Sequence, residues 1–142
     1  MRLWQREGKT AIHVYEHKAA VRTVIFSQDG RPVSASADQT VTVWKRDSTD
    51  DPTKLRVDGT ITTLATVPEA IDKDAILVGT GQQTIQLWSI TKRERIWAAE
   101  AKYGGPIVGL SFQKDPNALL SCSADGALRM WDPATGKEME DK

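Results

Sequence analysis

The sequence contains one cysteine, two histidines and no excess of charge of either sign among its 142 residues. The lone cysteine, Cys122, excludes an internal disulfide and fits a reducing compartment. Lysine plus arginine and aspartate plus glutamate each number 19, so the basic excess typical of nucleic-acid or membrane-surface binding is missing. No apolar run approaches the roughly 20 residues of a membrane span, and no apolar signal segment opens the sequence. We therefore expect an intracellular, cytoplasmic protein that contacts neither nucleic acid nor membrane.

Residues suited to catalysis or metal binding are also scarce. Two histidines and one cysteine are too few and too scattered for a zinc site. The stretch 79–81 lacks the further glycine and the Lys-Ser/Thr pair of a phosphate loop. His17, Ser36 and Asp38 are the residue types of a hydrolase triad, but no nucleophile elbow surrounds the serine, so we interpret them as structural. The sequence predicts a protein that is not an enzyme, with no catalytic, metal-binding or cofactor-binding residue.

Tryptophan, by contrast, is abundant and periodic. Four of the five tryptophans are Trp4, Trp44, Trp88 and Trp131, which stand 40, 44 and 43 residues apart. A period of about 40–45 residues is a sign of a propeller. The residues before each tryptophan alternate between apolar and polar, as in 40–43, which is typical of a strand with one buried face.

Two further strand-like runs precede each of Trp44, Trp88 and Trp131. The first set is 21–26, 61–66 and 107–112, and the second set is 33–36, 76–81 and 119–123. Turn residues separate the sets, and a fourth run follows some of the tryptophans, as at 10–15 and 94–98. The repeating unit is thus predicted to be a meander of four short strands. The one helical candidate, 68–74, is too short to matter.

Two stretches of the chain, Ser34–Trp44 and Ser121–Asp132, resemble repeats of the WD40 family of β-propellers, and Phe26–Gly30 is similar to the family's first hairpin. The resemblance implies an all-β fold made of blades of four antiparallel strands, about three blades in this chain. It also implies a polar network of histidine, serine or threonine, aspartate and tryptophan, in which a hydroxyl accepts from the buried indole. The residues that match this network are His17, Ser36, Asp38 and Trp44 in one repeat, and Ser123, Asp125 and Trp131 in the last.

The middle and last repeats depart from the family pattern. Asp58 and Gly59 stand where the middle repeat's histidine is expected, and Gln82 stands where its aspartate is expected. The pair 104–105 replaces the histidine of the last repeat. Only one of the three networks is complete by this comparison, which predicts a less rigid second blade.

The repeats divide the chain into successive segments. Residues 1–16 form the third and fourth strands of an incomplete blade, 17–57 and 58–100 form two full blades, 101–136 form a blade without its own fourth strand, and 137–142 are a polar tail. The fourth strand near the N-terminus is expected to complete the last blade. Because propellers have 4–8 blades, three blades do not readily close a ring. The ring would close only by oligomerisation, most simply two chains making six blades, or as a fragment of a longer propeller. The surplus strand at 1–4 favours a fragment or a split propeller.

The resemblance implies a non-catalytic protein–protein interaction scaffold that self-associates into a complete propeller. The alternative is a regulatory or sensor propeller segment of a larger signalling protein such as an NTPase or kinase. Partners of similar propellers often dock on the loops that join fourth to first strands and second to third strands. The partner-binding residues expected on these loops are Lys18, Gln39, Gln83, Lys102 and Tyr103.

Overall fold

The chain folds into short antiparallel strands arranged as successive blades. The computed structural model describes residues 2–4, 11–14, 16–45, 51–115 and 117–139, the first two ranges as backbone. The elements are β1 (Arg2–Trp4), β2 (Ala11–Val14), β3 (Val21–Phe26), β4 (Pro32–Ser36), β5 (Thr40–Val43), β6 (Thr53–Arg56), β7 (Ile61–Thr66), α1 (Glu69–Asp72), β8 (Ala75–Thr80), β9 (Thr84–Ser89), β10 (Glu94–Glu100), β11 (Ile107–Gln113), β12 (Ala118–Ser123) and β13 (Leu128–Trp131).

The strands form four sheets in which neighbours in sequence are neighbours in space. Blade 1 is β3-β4-β5-β6, blade 2 is β7-β8-β9-β10, and blade 3 is β11-β12-β13, while β1 and β2 pair separately as a hairpin. All of these pairs are antiparallel. The expected all-β propeller architecture is confirmed, and the ring of blades is not closed within the chain.

The first strand of every blade carries the same irregularity. Its register with the second strand shifts around Arg22 in β3, Thr62 in β7 and Val108 in β11. A bulge bends a strand and increases its local twist. Because the bulge falls at the same place in each blade, residue-by-residue equivalence between blades follows directly from the strand pairing.

Alternating side chains give each blade two apolar faces. We call the face toward the preceding blade the near face and the face toward the following blade the far face. The far face of blade 1, including Val33 and Val41, packs on the near face of blade 2, including Ile76 and Trp88. A second cluster joins blade 2 to blade 3 in the same way. The core is therefore a stack of blade-to-blade layers, each built from the two-residue period of the strands.

Two local features differ from the sequence expectations. The stretch 68–74 does contain one helical turn, α1, four residues long. The tail, expected to be too polar for a strand, forms an antiparallel bridge between Glu138 and Trp131, and Met139 N donates to Met130 O at 2.8 Å. Backbone groups make these bonds whatever the side-chain polarity, and Glu138 also pairs with Arg129. In this chain the tail thus lies beside β13, where we expected β2.

Candidate functional site

The indole of Trp44 is held by a chain of polar side chains in blade 1. Its Nε1 donates to Ser34 Oγ at 2.7 Å, and His17 Nε2 lies 2.6 Å from the same oxygen. His17 Nδ1 lies 3.6 Å from Asp38 Oδ2, and Asp38 Oδ1 accepts from the Thr40 hydroxyl at 2.5 Å. The His17 ring also meets the Trp44 ring edge-on at 5.5 Å. The loop before β3, the second strand and the turn after it are thereby tied to one buried indole.

The hydroxyl in this chain belongs to Ser34, which corrects the sequence assignment of Ser36. Ser36 lies two residues further along β4 and has different partners. Its hydroxyl donates to Ala19 O at 3.3 Å and accepts from Asp38 N at 3.3 Å. Both serines are buried on the same face of the strand, so alternation does not distinguish them. The distance to the indole distinguishes the two serines. Ser34 is paired with Thr42 on the third strand, and Trp44 follows Thr42 on the same face of the sheet.

Blade 3 repeats the arrangement with a tyrosine in place of the histidine. Trp131 Nε1 donates to Ser121 Oγ at 2.7 Å, and the Tyr103 hydroxyl lies 2.6 Å from Ser121 Oγ. Tyr103 precedes β11 by four residues, as His17 precedes β3. Ser121, rather than Ser123, is therefore the acceptor, while Ser123 donates to Gly105 O at 3.0 Å. The indole of this blade is thus held by a serine with a polar ring partner, where we expected glycines to interrupt the network, while Asp125 accepts from the backbone of Gly104.

In blade 2 a glutamine, rather than a serine, accepts the hydrogen bond of the buried indole. Trp88 Nε1 donates to Gln86 Oε1 at 2.9 Å, and Gln86 Nε2 lies 3.3 Å from Asp58 O. The positions equivalent to His17 and Ser34 are Val57 and Val78, both fully buried. Since the polar pair is replaced together by two apolar residues, no unpaired group is left there. Gln86 then supplies the acceptor from the same strand as the tryptophan.

The sequence pattern did not reveal the roles of Ser34, Ser121, Gln86 and Tyr103. Two spacings carry the signal that would have found most of them, and one is the four residues that separate His17 and Tyr103 from the first strand of their blades. Each serine stands ten residues before the tryptophan that it binds. Gln86, only two residues before Trp88, has no counterpart at the same spacing in the other blades, and its role follows only from the structure.

The Ser34–His17–Asp38 chain has the connectivity of a hydrolytic triad but not its accessibility. Ser34 is 0% exposed, and its oxygen already accepts from the Trp44 indole. A nucleophile must reach its substrate, and this hydroxyl is enclosed between β4 and the ring of Trp44. The geometry of these residues suits a structural network that fixes the loop before β3.

The ionisable groups of the networks titrate away from their ordinary values. Burial lowers the pKa of His17, and the nearby Asp38 carboxylate opposes this only in part. Burial acts to raise the pKa of Asp38, but the Thr40 hydroxyl and N–H and His17 outweigh it, so the pKa lies below the ordinary value. Backbone N–H groups of Ala127 and Gly104 lower the pKa of Asp125 in the same way. The neutral imidazole beside an ionised carboxylate is thus the favoured state.

The loops before each first strand meet the turns between second and third strands at one end of the blades. In blade 1 the contact is His17 with Asp38. In blade 2, Thr60 N donates to Gln82 Oε1 at 2.8 Å, and in blade 3 Gly104 N donates to Asp125. We call this end the loop face. Gln82 thus accepts a backbone N–H in blade 2, as Asp125 does at the equivalent position in blade 3.

Four of the five expected partner-binding residues lie at the surface of the loop face. Lys18, Gln39 and Lys102 are exposed, and Gln83 is half-buried. Gln39 and Gln83 have φ of 64° and 62°, and Gly126 takes the equivalent turn position in blade 3 with φ of 89°. Tyr103 is only 6% exposed, because its hydroxyl is directed inward to Ser121. The structure therefore places Tyr103 in the core rather than on the docking surface.

Among the described residues no three acidic, histidine or cysteine side chains cluster closely enough to hold a metal ion. The one described helix, a single turn, is far too short to cross a membrane.

Comparison with known proteins gives a family for these repeats. The WD40 family profile, described as "WD domain, G-beta repeat", matches residues 9–45 and 99–132, together half of the chain. The eukaryotic translation initiation factor 3 subunit I of Drosophila willistoni is 24% identical over 145 residues, covering 94% of this chain and 45% of its own length. The WD repeat-containing protein 89 homolog of Dictyostelium discoideum is 23% identical over 135 residues, covering 93% and 36%. The chain thus spans less than half the length of these curated relatives.

Solved structures show the same fold. The computationally designed Ika4 protein superimposes with a TM-score of 0.75 at 24% identity, covering 92% of this chain and 76% of that one. The WD40 propeller domain of Doa1 superimposes with a TM-score of 0.73 at 18% identity, covering 88% and 41%. The matched repeats, the stacked antiparallel blades and the tryptophan at the end of each third strand together establish that this chain belongs to the WD40-repeat family of β-propellers.

Proposed function

We propose that the chain is a non-catalytic protein-interaction scaffold that binds a protein partner on its loop face and self-associates to complete a propeller. The observation that supports the loop face is its fixed geometry. Two of the three loops are held to the neighbouring turns by hydrogen bonds, and the third by the contact of His17 with Asp38, so exposed side chains stand on a preorganised platform. Preorganisation reduces the entropy that binding must otherwise overcome.

The surface composition of the loop face suits recognition of another protein. Lys18 and Lys102 supply cationic donors, and Gln39 and Gln83 supply amides that both donate and accept. Mixed hydrogen-bonding groups around a rigid backbone provide specificity at such surfaces. The absence of a basic excess in the chain argues for a protein partner over a nucleic acid.

The loop face is tested by comparing the proteins that cross-link to the wild-type chain with those that cross-link to a variant with four substitutions on this face. The variant carries Lys18→Ala, Gln39→Gly, Gln83→Gly and Lys102→Gly. Glycine is chosen at the last three positions because their positive φ favours it, as Gly126 shows in blade 3. Tyr103 is left intact because its removal would disturb the core.

A matched control variant carries Lys73→Ala, Lys92→Ala, Arg93→Gly and Lys114→Ala. These are exposed side chains on loops and turns at the opposite end of the blades, and Arg93 also has a positive φ, of 58°. The proposal expects specific cross-links that the fourfold loop-face variant loses and the control keeps. Identical cross-linked proteins for all three chains would show that the loop face is not the docking surface.

A further inference from the structure

The backbones of consecutive blades in this chain come closest at their inner strands. The first strand of blade 2, β7, contacts β3 and β4 of blade 1, and the first strand of blade 3, β11, contacts β7 and β8 of blade 2. Each junction therefore brings the first two strands of one blade against the first strand of the next. The same rule, continued once more, would set β11 and β12 against the first strand of a further blade.

The chain exposes the near-face half of such a junction on β3. In blade 2, Ile61 and Leu64 occupy the near face of the first strand and are 1% and 5% exposed. Their equivalents on β3 are Val21 and Val24, which are 38% and 52% exposed, and Phe26 on the same face is 58% exposed. These apolar side chains are uncovered because no inner strands of a preceding blade lie over β3 among the described residues.

The far-face half is exposed at the other end, on blade 3. Strand pairing makes one row of positions equivalent in the three blades. The row is Val33, Ala35, Val41 and Val43 in blade 1, Leu77, Gly79, Ile85 and Leu87 in blade 2, and Leu120, Cys122, Leu128 and Met130 in blade 3. The first two rows are buried against the following blade. In blade 3, Leu128 is 65% exposed where Val41 and Ile85 are 0% exposed.

We propose that the far face of blade 3 binds β3 of a second copy of this chain, giving a head-to-tail junction of the same kind as the two inside the chain. The proposal rests on the self-association proposed above and names the surfaces that produce it. Two different patches of one chain meet, so the contact is heterologous, and an arc of about three blades lets two copies form a ring. Exposed apolar patches of this kind mark interaction sites.

The two uncovered halves of a junction belong to one chain, which favours a second copy as the occupant. On β3, Val21 and Val24 stand at the positions of Ile107 and Leu110, the residues of blade 3 that lie against Gly79 of blade 2. On the far face of blade 3, Cys122 takes the position of Gly79. Each surface therefore offers the kind of apolar face that the other lacks within one chain.

The outer part of the near face of blade 1 is already occupied within the chain. Ser34, Ser36 and Thr42 on that face are fully buried. The second copy therefore meets blade 1 along β3, while blade 3 presents the far faces of β12 and β13 to it.

The test uses two charge variants of the whole chain, Val24→Asp on β3 and Leu128→Asp on blade 3. Both side chains are more than half exposed in one chain, so a carboxylate is tolerated there but not inside a junction. Light scattering should give twice the 15.7 kDa chain mass for the wild type and the single mass for each variant alone. An equimolar mixture of the variants should again contain dimers, because Val24→Asp keeps an intact blade 3 face and Leu128→Asp keeps an intact β3. Ile96→Asp, on the outer strand β10 and 46% exposed, is the control and should dimerise like the wild type.

The outcomes separate this proposal from self-association in general. A wild type that dimerises together with both variants would overturn the head-to-tail junction while leaving self-association in place. Loss of dimers by Leu128→Asp alone would indicate contact between two blade 3 faces and overturn the proposal as well. A wild type that stays at the single mass at every concentration would overturn both.

Cys122 gives a second readout that needs no substitution. The residue is partly exposed in one chain and lies in the proposed junction. Maleimide should label it more slowly as the protein concentration rises through the association range. A labelling rate that is independent of concentration in a dimerising protein would contradict the proposal.

Discussion

The Tyr103 hydroxyl lies 2.6 Å from the Ser121 hydroxyl, the same separation as between His17 Nε2 and Ser34 Oγ. Both serines accept from a buried indole, and both partners stand four residues before the first strand of their blade. A phenol and an imidazole thus perform one structural role in two blades of the same chain. The role asks only for a polar group at the end of a flat ring.

Tyr103→Phe tests whether this phenol is structural. The substitution removes the hydrogen bonds to Ser121 but keeps the ring, which also lies 5.1 Å from the Arg129 guanidinium. We expect the free energy of unfolding to fall by about 1 kcal/mol, the usual net worth of such a bond. Urea unfolding followed by tryptophan fluorescence measures it. Unchanged stability would contradict a structural role for the Tyr103 hydroxyl. Loss of partner binding by a fully folded variant would show that Tyr103 belongs to the docking surface.

Ser34→Ala and Ser36→Ala distinguish the structural assignment from the sequence one. Ser34→Ala leaves the buried Trp44 indole N–H without its acceptor, which should cost about 1–3 kcal/mol of unfolding free energy. Ser36→Ala loses only two bonds of 3.3 Å and should cost about 1 kcal/mol or less. Denaturant midpoints for the two variants give the comparison directly. A larger loss for Ser36→Ala would mean that the indole is held from that position instead.

Gln86→Leu should remove the acceptor of the Trp88 indole and destabilise blade 2 by about 1–3 kcal/mol. Val78 stands ten residues before Trp88, as Ser34 stands before Trp44. Adding Val78→Ser to Gln86→Leu should therefore recover part of the loss, whereas Val78→Ser alone should destabilise by burying an extra hydroxyl. A double-mutant cycle of unfolding free energies measures this coupling. Strict additivity of the two changes would contradict the equivalence of the positions.

The pH dependence of stability should carry a signature of His17. Its folded pKa is lowered, chiefly by burial, so the folded chain resists a proton that the unfolded chain accepts. The stabilisation is then complete above the unfolded histidine pKa of about 6.5 and is lost as the pH falls through the lower folded value. The difference in unfolding free energy between the wild type and His17→Gln should therefore shrink between about pH 7.5 and about pH 5. Asp38 and Lys54, which act on His17, are present in both chains. A difference that is constant across this range would show that His17 keeps its ordinary pKa.

The tryptophan period was sufficient to predict the repeating blade, because a strand with one buried face repeats its apolar residues every second position whatever its neighbours are. The resemblance to WD40 repeats, rather than the period, supplied Asp38, which sits in a tight turn, and the loop residues Lys18, Gln39 and Lys102, which the structure leaves exposed. Periodicity of two, however, assigns Ser34 and Ser36 to the same face. Only the ladder and the reach of the Trp44 ring decide between them.

The sequence by itself determined the all-β repeat, its number of blades and the tryptophan at the end of each third strand. The tertiary structure alone decided that Tyr103 is buried, that Gln86 replaces the usual acceptor, and that Val24 and Leu128 are left uncovered. The physical reason is that strand patterns depend on residues close in sequence. Hydrogen-bond partners and buried area depend instead on side chains that only the stacking of blades brings together.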